Sequence, residues 1–194
     1  MVKAILSVVA LFALFASSTF AAEFKVDTKA SQIKWTGEKV TGSHWGYVNI
    51  KSGVVNVDDN KIKNGNFDID MTSMNCKDLD PGEYNDKLIK HLKSDDFFSV
   101  DANPVSAFKI KWVKDNGNNS IKVTGDLTIK GTTKQLTFDA KYTLSGDKLT
   151  AEATIPVDRT KYDIKYGSGS FFDSLGDKTI YDEFTLDLKL VAKK

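Results

Sequence analysis

From Phe24 to the C-terminus apolar side chains recur at every second position, which confines most of the chain to pleated strands with one apolar and one polar face. Phe108, Ile110 and Trp112 form one such row, followed by Ile121, Val123, Leu127 and Ile129, and then by Leu136, Phe138, Ala140, Tyr142 and Leu144. Leu149, Ala151, Ala153, Ile155 and Val157 repeat the pattern, and Phe184, Leu186, Leu188, Leu190 and Ala192 end the chain with it. Shorter rows are readable at Ile33 and Trp35, Val48 and Ile50, Val55 and Val57, and Phe67, Ile69 and Met71. Turn formers stand between them: Asp58-Asp59-Asn60, Asn64-Gly65-Asn66, Asp115 to Asn119, Lys130-Gly131-Thr132 and Ser145-Gly146-Asp147. Turns this closely spaced join antiparallel neighbours. A sheet with one apolar face must bury it against itself or a second sheet, so the chain is an all-β barrel or sandwich, and the up-and-down order favours an antiparallel barrel.

Helical periodicity appears once. Asp80-Pro81-Gly82-Glu83 reads as a helix start, with Asp80 as the cap, Pro81 in the first turn and Glu83 returning a hydrogen bond. Tyr84, Leu88 and Leu92 then share a face that Ile89 widens, while Asn85, Asp86, Lys87 and Lys90 turn to water. One short amphipathic helix of this kind lies on the sheet as a cover. No repeat, low-complexity tract or linker divides the chain, which reads as a single domain.

Ahead of the strands, Lys3 precedes an apolar run from Ala4 to Phe15 and then small residues up to Ala21, the layout of a secretory signal cleaved after Ala21. The apolar run is shorter than the ~20 residues of a membrane-spanning helix. Residues 1–21 are therefore read as a signal peptide and 22–194 as a soluble periplasmic domain, with no cysteine at the cleavage site to take a lipid anchor. The chain has 27 Lys and Arg against 26 Asp and Glu, and loss of Lys3 with the leader balances the two, which does not favour nucleic acid as a partner. Cys76 is the only cysteine, so an oxidising compartment finds no intramolecular disulfide to make and stability must come from burial.

Candidate chemistry is sparse. The histidines His44 and His91 with one cysteine are too few for a tetrahedral zinc site unless carboxylates join them, and no metal-binding spacing is present. His44 follows Ser43, but successive strand side chains point to opposite faces, which argues against a base and nucleophile pair. Tyr166 to Phe172 contains glycines without the lysine and Ser/Thr of a phosphate loop, and reads as a loop or bulge at a barrel mouth with Phe171 and Phe172 lining the entrance. Arg159 is the only arginine. Its planar fork suits a carboxylate, a phosphate or an aromatic ring, which leaves open an internal clamp, with Trp35 or an acidic residue as partner, and contact with a ligand's polar head. The aromatic residues are read mostly as core, and an eight-stranded barrel either fills its interior or holds one small ligand.

Three blocks carry a family resemblance: Gly42-Ser43-His44-Trp45-Gly46, the run His91 to Phe98 that closes the helix, and Pro104 to Phe108 leading into Gly125 to Lys134. In order and spacing they resemble the YceI-like family of exported bacterial proteins, over essentially the whole chain after the leader. The resemblance implies an extended antiparallel barrel of lipocalin-like architecture, with one short covering helix, whose interior binds a polyisoprenoid such as a quinone or polyprenyl lipid. It implies no cofactor beyond that lipid and no catalytic role. The side chains expected to face the ligand are Trp35, His44, Trp45, Phe67, Phe97, Phe98, Phe108, Phe138, Arg159, Phe171 and Phe172. The chain departs from the lipid-binding members at Asp158 to Tyr166 and on through Asp182, where Phe171 and Phe172, folded inward, would shorten or seal the tunnel.

Three functions stay in competition on these grounds. The first is a carrier of an isoprenoid or other apolar lipid. The second is an accessory of a lipid-modifying enzyme, for which His44 and Arg159 are the only reactive candidates. The third is a stress-protective protein with a filled core. Exposed strand edges leave a homodimer open.

Overall fold

The computed structural model describes residues 21–194, so the leader, except Ala21, lies outside the described residues. In chain order the elements are β1 (Ala22–Val26), β2 (Gln32–Lys39), β3 (Gly42–Asp58), β4 (Lys61–Asp70), α1 (Glu83–Lys93), β5 (Val105–Gly117), β6 (Ser120–Ile129), β7 (Thr132–Ser145), β8 (Lys148–Asp158) and β9 (Glu183–Lys193). Consecutive strands pair antiparallel, β9 returns to β2, and β3 pairs β4, so β2 to β9 form a closed barrel of eight strands. β1 takes no ninth station. It extends the wall beyond β2, bonded to the far half of β3 on one side and to the end of β9 on the other.

The two-residue turns follow from their residues. Asp59 and Asn60, Asn118 and Asn119, and Lys130 and Gly131 all have positive φ at both positions, the type I′ geometry whose twist matches paired strands. All the long connections leave from one end of the barrel: residues 71–104, which carry α1, and residues 159–182. At the opposite end Phe24 of β1, Val57, Leu149 and Ala192 are almost wholly buried and plug the interior.

The inward rows match the alternation, with physical exceptions. A bulge between Ile110 and Trp112 reverses the parity of β5, so Trp112 stands opposite Thr124 on the outer wall, 63% exposed, and Val113 takes the inward place opposite Val123. Asn64-Gly65-Asn66 is strand, not turn: it pairs with Val54 to Asn56 inside β4. A Cβ on Gly65 would lie 2.8 Å from the Val54 carbonyl oxygen, so the glycine permits close strand approach.

The helix also starts later than its sequence suggests. Gly82, at φ +148°, precedes Glu83, Asp80 makes no cap, and Glu83 pairs with Lys87 at 3.4 Å instead of reaching back. Two first-turn residues depart from the faces expected of them. Tyr84 is 80% exposed, whereas Asn85 is half-buried and donates to the carbonyl of Leu79 at 2.9 Å. Leu88 and Leu92 face the barrel end, so α1 is a cover, though none of its residues is fully buried.

Gly125 lies under the Phe108 ring, where an added Cβ would come within 2.5 Å of it and of the Lys109 carbonyl oxygen. Gly125→Ala is expected to lower unfolding stability by about 1–3 kcal/mol, and Trp112→Ser to change it by less than about 0.5 kcal/mol, both read by urea denaturation.

Candidate functional site: an apolar lumen with a polar mouth

Between the plug and the open end the inward side chains of all eight strands enclose a cavity of about 160 Å³. Of its lining only Ser106 is polar. Phe67, Phe108 and Phe138 form one aromatic run across it, with ring centroids 6.4 Å apart for the first pair and 5.6 Å for the second. Trp35, Phe98 and Phe184 line this lumen and also a second cavity of about 240 Å³ beneath α1, so they stand between the two. Leu88 and Leu92 roof the second cavity, and its rim carries Glu38, Lys39, His44, His91, Arg159 and Glu183.

One side of this mouth is built by Arg159, 3% exposed at the end of β8. Its Nε donates to the carbonyl of Tyr181 at 3.0 Å, Nη1 to those of Ile164 and Tyr166, and Nη2 to that of Ile180, each at 2.9 Å. Asp182 lies 3.6 Å from Nη2, and the Phe97 ring stacks 6.0 Å away. A single cation thus ties both ends of the 159–182 connection, and the backbone of Tyr181 and Thr179 laces it to the β2–β3 turn through Glu38 and Val40. The internal clamp is the reading that these contacts support, with backbone carbonyls as the main partners, and not Trp35. Burial works against ionisation of Asp182, but the hydroxyls of Ser168 and Ser170 and the nearby guanidinium outweigh it and hold the carboxyl below its usual range.

The other side is a strap, Ser73 to Asp78, that lies along the first half of β3 where β4 has ended. Asn75 N–H donates to the Tyr47 carbonyl at 3.0 Å, Lys77 N–H to that of Trp45 at 2.9 Å, and the Trp35 indole to the Asn75 carbonyl at 3.0 Å. Gly46 is obligatory beneath it, because a Cβ there would sit 1.8 Å from the Asn75 oxygen. The strap brings Asp78 onto β3, where its carboxylate accepts from the Trp45 N–H at 2.7 Å, bonds His44 Nδ1 at 2.7 Å and accepts from Cys76 Sγ at 3.3 Å. Burial pushes the Cys76 thiol up, and the Asp78 carboxylate adds to the effect. A thiol kept protonated and bonded to a carboxylate is no activated nucleophile. The described residues hold no catalytic architecture.

The structure gathers eight of the eleven expected residues at one continuous feature. Trp35, Phe67, Phe98, Phe108 and Phe138 line the lumen, and His44, Phe97 and Arg159 line the mouth with Trp35 and Phe98. Three lie elsewhere. Trp45 is on the outer wall of β3, edge-on to Tyr47 and under Lys34. Phe171 and Phe172 are 50% and 51% exposed and neither shortens nor seals the lumen. Residues that the sequence reading missed include Leu88, Phe184 and Ile180 at the mouth, and Cys76 with Asp78 beside His44. The signal for the first two was their own alternation and helical spacing. For Asp78 there was none, since 34 residues separate it from His44.

A closed eight-stranded antiparallel barrel with an apolar lumen, covered at one end by a helix, defines a lipocalin-like binding barrel able to take an apolar ligand inside. The chain belongs to the YceI-like domain family, whose model matches residues 24–192. A UPF0312 protein of Vibrio parahaemolyticus is 33% identical over 135 residues, and the chain spans just under two thirds of that relative's length, 66% of each. Among solved structures, Burkholderia cenocepacia BcnA superposes with a TM-score of 0.65 at 22% identity, covering 87% of this chain and 99% of that one. A polyisoprenoid binding domain from Saccharophagus degradans, implicated in plant cell wall breakdown, gives 0.62 at 13% identity, covering 88% and 97%.

Arg159→Lys keeps the charge but loses the fork, and is expected to lower stability by on the order of 3 kcal/mol in thermal or urea unfolding. Asp182 has a lowered folded pKa, so its contribution is present at neutral pH and is lost as pH falls through that lowered value. Asp182→Asn should therefore destabilise at pH 7, and the gap to wild type should close as pH falls below about 4, the usual carboxylate range.

Proposed function

We propose that this protein is a periplasmic carrier of a slender isoprenoid-type lipid, holding the chain in the lumen and the head group at the mouth. The observation that carries the reading is the cavity itself, with about 160 Å³ unfilled and Ser106 its one polar side chain. A packed barrel closes such a space, because each unfilled volume of this size forfeits contacts. A cavity of roughly 150 Å³ takes one benzene-sized apolar molecule, so the lumen as it stands holds about one isoprene unit. A longer chain reaches the mouth cavity past Trp35, Phe98 and Phe184. Each methylene moved from water contributes about 0.8 kcal/mol. The Saccharophagus structure, named for polyisoprenoid binding, supports the same ligand class. Nothing in the described residues favours chemistry on such a lipid, and the unfilled lumen disfavours a solid core.

Protein taken from its native periplasm should release an isoprenoid lipid on solvent extraction, identified by mass spectrometry, and the stripped protein should take up a quinone analogue. Lipid-free extracts together with no uptake would refute the carrier. Phe108→Asp should abolish uptake, since a carboxylate in this lumen has no partner. Ala140→Phe, which fills the space without adding charge, should do the same in a folded protein.

The cover makes a kinetic prediction. Leu88 and Leu92 are only half-buried, so Leu88→Ala and Leu92→Ala should each cost less than about 2 kcal/mol of stability while speeding ligand exchange in stopped-flow measurements.

A further inference from the structure

We propose that His44, Cys76 and Asp78 form a binding site for a thiophilic divalent cation of the zinc type at the rim of the barrel mouth. The three offer an imidazole nitrogen, a sulfur and a carboxylate oxygen, and these atoms all lie within 4.8 Å of one another. That donor set is the borderline mixture that zinc selects, and it is unsuited to calcium or magnesium, which take oxygen alone.

The spacing already approaches that of a coordination shell. With Zn–S of about 2.3 Å and Zn–N of about 2.0–2.1 Å, tetrahedral donors stand roughly 3.3–3.6 Å apart. Here Nδ1 of His44 is 2.7 Å from one Asp78 oxygen, and Sγ of Cys76 is 3.3 Å from the other. Opening the first pair and drawing sulfur and nitrogen together requires side-chain shifts of about an ångström, with the backbone in place.

The backbone is held for this geometry. His44 is fixed in β3 opposite Gly37, and the strap is bonded to β3 at Asn75 and Lys77, on either side of Cys76. Asp78 receives the Trp45 N–H at 2.7 Å, and the Asn85 amide of α1 donates to the Cys76 carbonyl at 3.4 Å. These are the outer contacts that orient metal ligands. Cys76 is 6% exposed, while the His44 and Asp78 side chains are 32% and 20% exposed, so the ion meets a buried sulfur from an open side. Of the three ligands only His44 also lines the mouth cavity, and the fourth position is left for water. Binding converts the Cys76 thiol to thiolate and releases its proton to solvent, so the thiolate and the Asp78 carboxylate together balance the two charges of the ion.

The test uses the untagged mature protein, stripped with a chelator and titrated with Co²⁺ as a spectroscopic probe and with Zn²⁺ against a chromophoric chelator. The expected result is one equivalent bound, with a thiolate-to-cobalt charge-transfer band and the intense visible bands of tetrahedral cobalt. Cys76→Ser should remove the charge-transfer band, and His44→Ala should weaken zinc by on the order of 100-fold or more, beyond the loss typical of an outer contact. Asp78→Asn, which keeps shape, should weaken it as well, so failure of any one variant to fold leaves two others. Thermal unfolding of each metal-free variant establishes that it is folded. No binding at micromolar zinc, a weak octahedral cobalt spectrum, or zinc affinity unchanged in folded His44→Ala would each overturn the site and leave a hydrogen-bonded triad that only secures the strap.

Discussion

An apolar sheet face can be buried without a second layer only where the sheet meets itself, and in this chain the meeting is made by β3. Its 17 residues pair with β2 along the first part, with β4 along the second, and with β1 along the outer edge of the far half. A bulge between Ile50 and Ser52 lets one strand serve both partners, because it shifts the inward set from Val48 and Ile50 to Val55 and Val57. Closure shortens the free edges on which a homodimer was left open, since β1 to β9 are all bonded on both sides over part of their length. It also fixes the interior width, which at eight strands leaves room for side chains and one small molecule.

Closure segregates polarity along the barrel axis. The wall keeps its charged side chains outside, the plug at one end is apolar, and every long connection leaves from the other end. The polar groups that the fold must bury are therefore collected at the mouth. Arg159 is the costliest of them, and its cost is met by four backbone carbonyls and a neighbouring carboxylate. The same carbonyls belong to the connection that would otherwise lie loose over the opening. Burying one guanidinium thus shapes one side of the entrance, and the strap over Gly46 shapes the other.

What was legible in the sequence is what depends on period two. The inward rows of β6 to β9, the I′ turns and the covering helix follow from local pattern and needed no knowledge of neighbours. The failures are places where a neighbour decides. Trp112 lies outside because a bulge, invisible in an unbroken alternation, precedes it. Asn64-Gly65-Asn66 has turn chemistry but is held in a strand by close approach to Val54. Asp80 makes no cap because the helix begins after Gly82, and Asn85 of its first turn is held inward by the carbonyls of Leu79 and Cys76. Phe171 and Phe172 point outward because the connection carrying them is anchored at its ends by Arg159, whose rarity signalled a geometric role but not its partners. The His44, Cys76 and Asp78 cluster has no sequence signature, since the strap that assembles it is positioned by tertiary contacts alone.

The two sides of the mouth differ in how firmly they are held. The 159–182 side is bound by a buried ion and by backbone bonds to the β2–β3 turn. The α1 side has no fully buried side chain, no side-chain cap at its start and half-buried leucines as its main apolar contacts. Few buried contacts mean a low free energy of local opening. The plug of Phe24, Val57, Leu149 and Ala192 denies passage from the far end. The less firmly held route to the lumen therefore lies under α1, where Phe98 is bonded through its backbone to Leu92 at the end of that helix and packs edge-on against Phe184. Of the three side chains that stand between the two cavities, Phe98 is thus the one tethered to the cover, whereas Trp35 is held by the strap and Phe184 by β9.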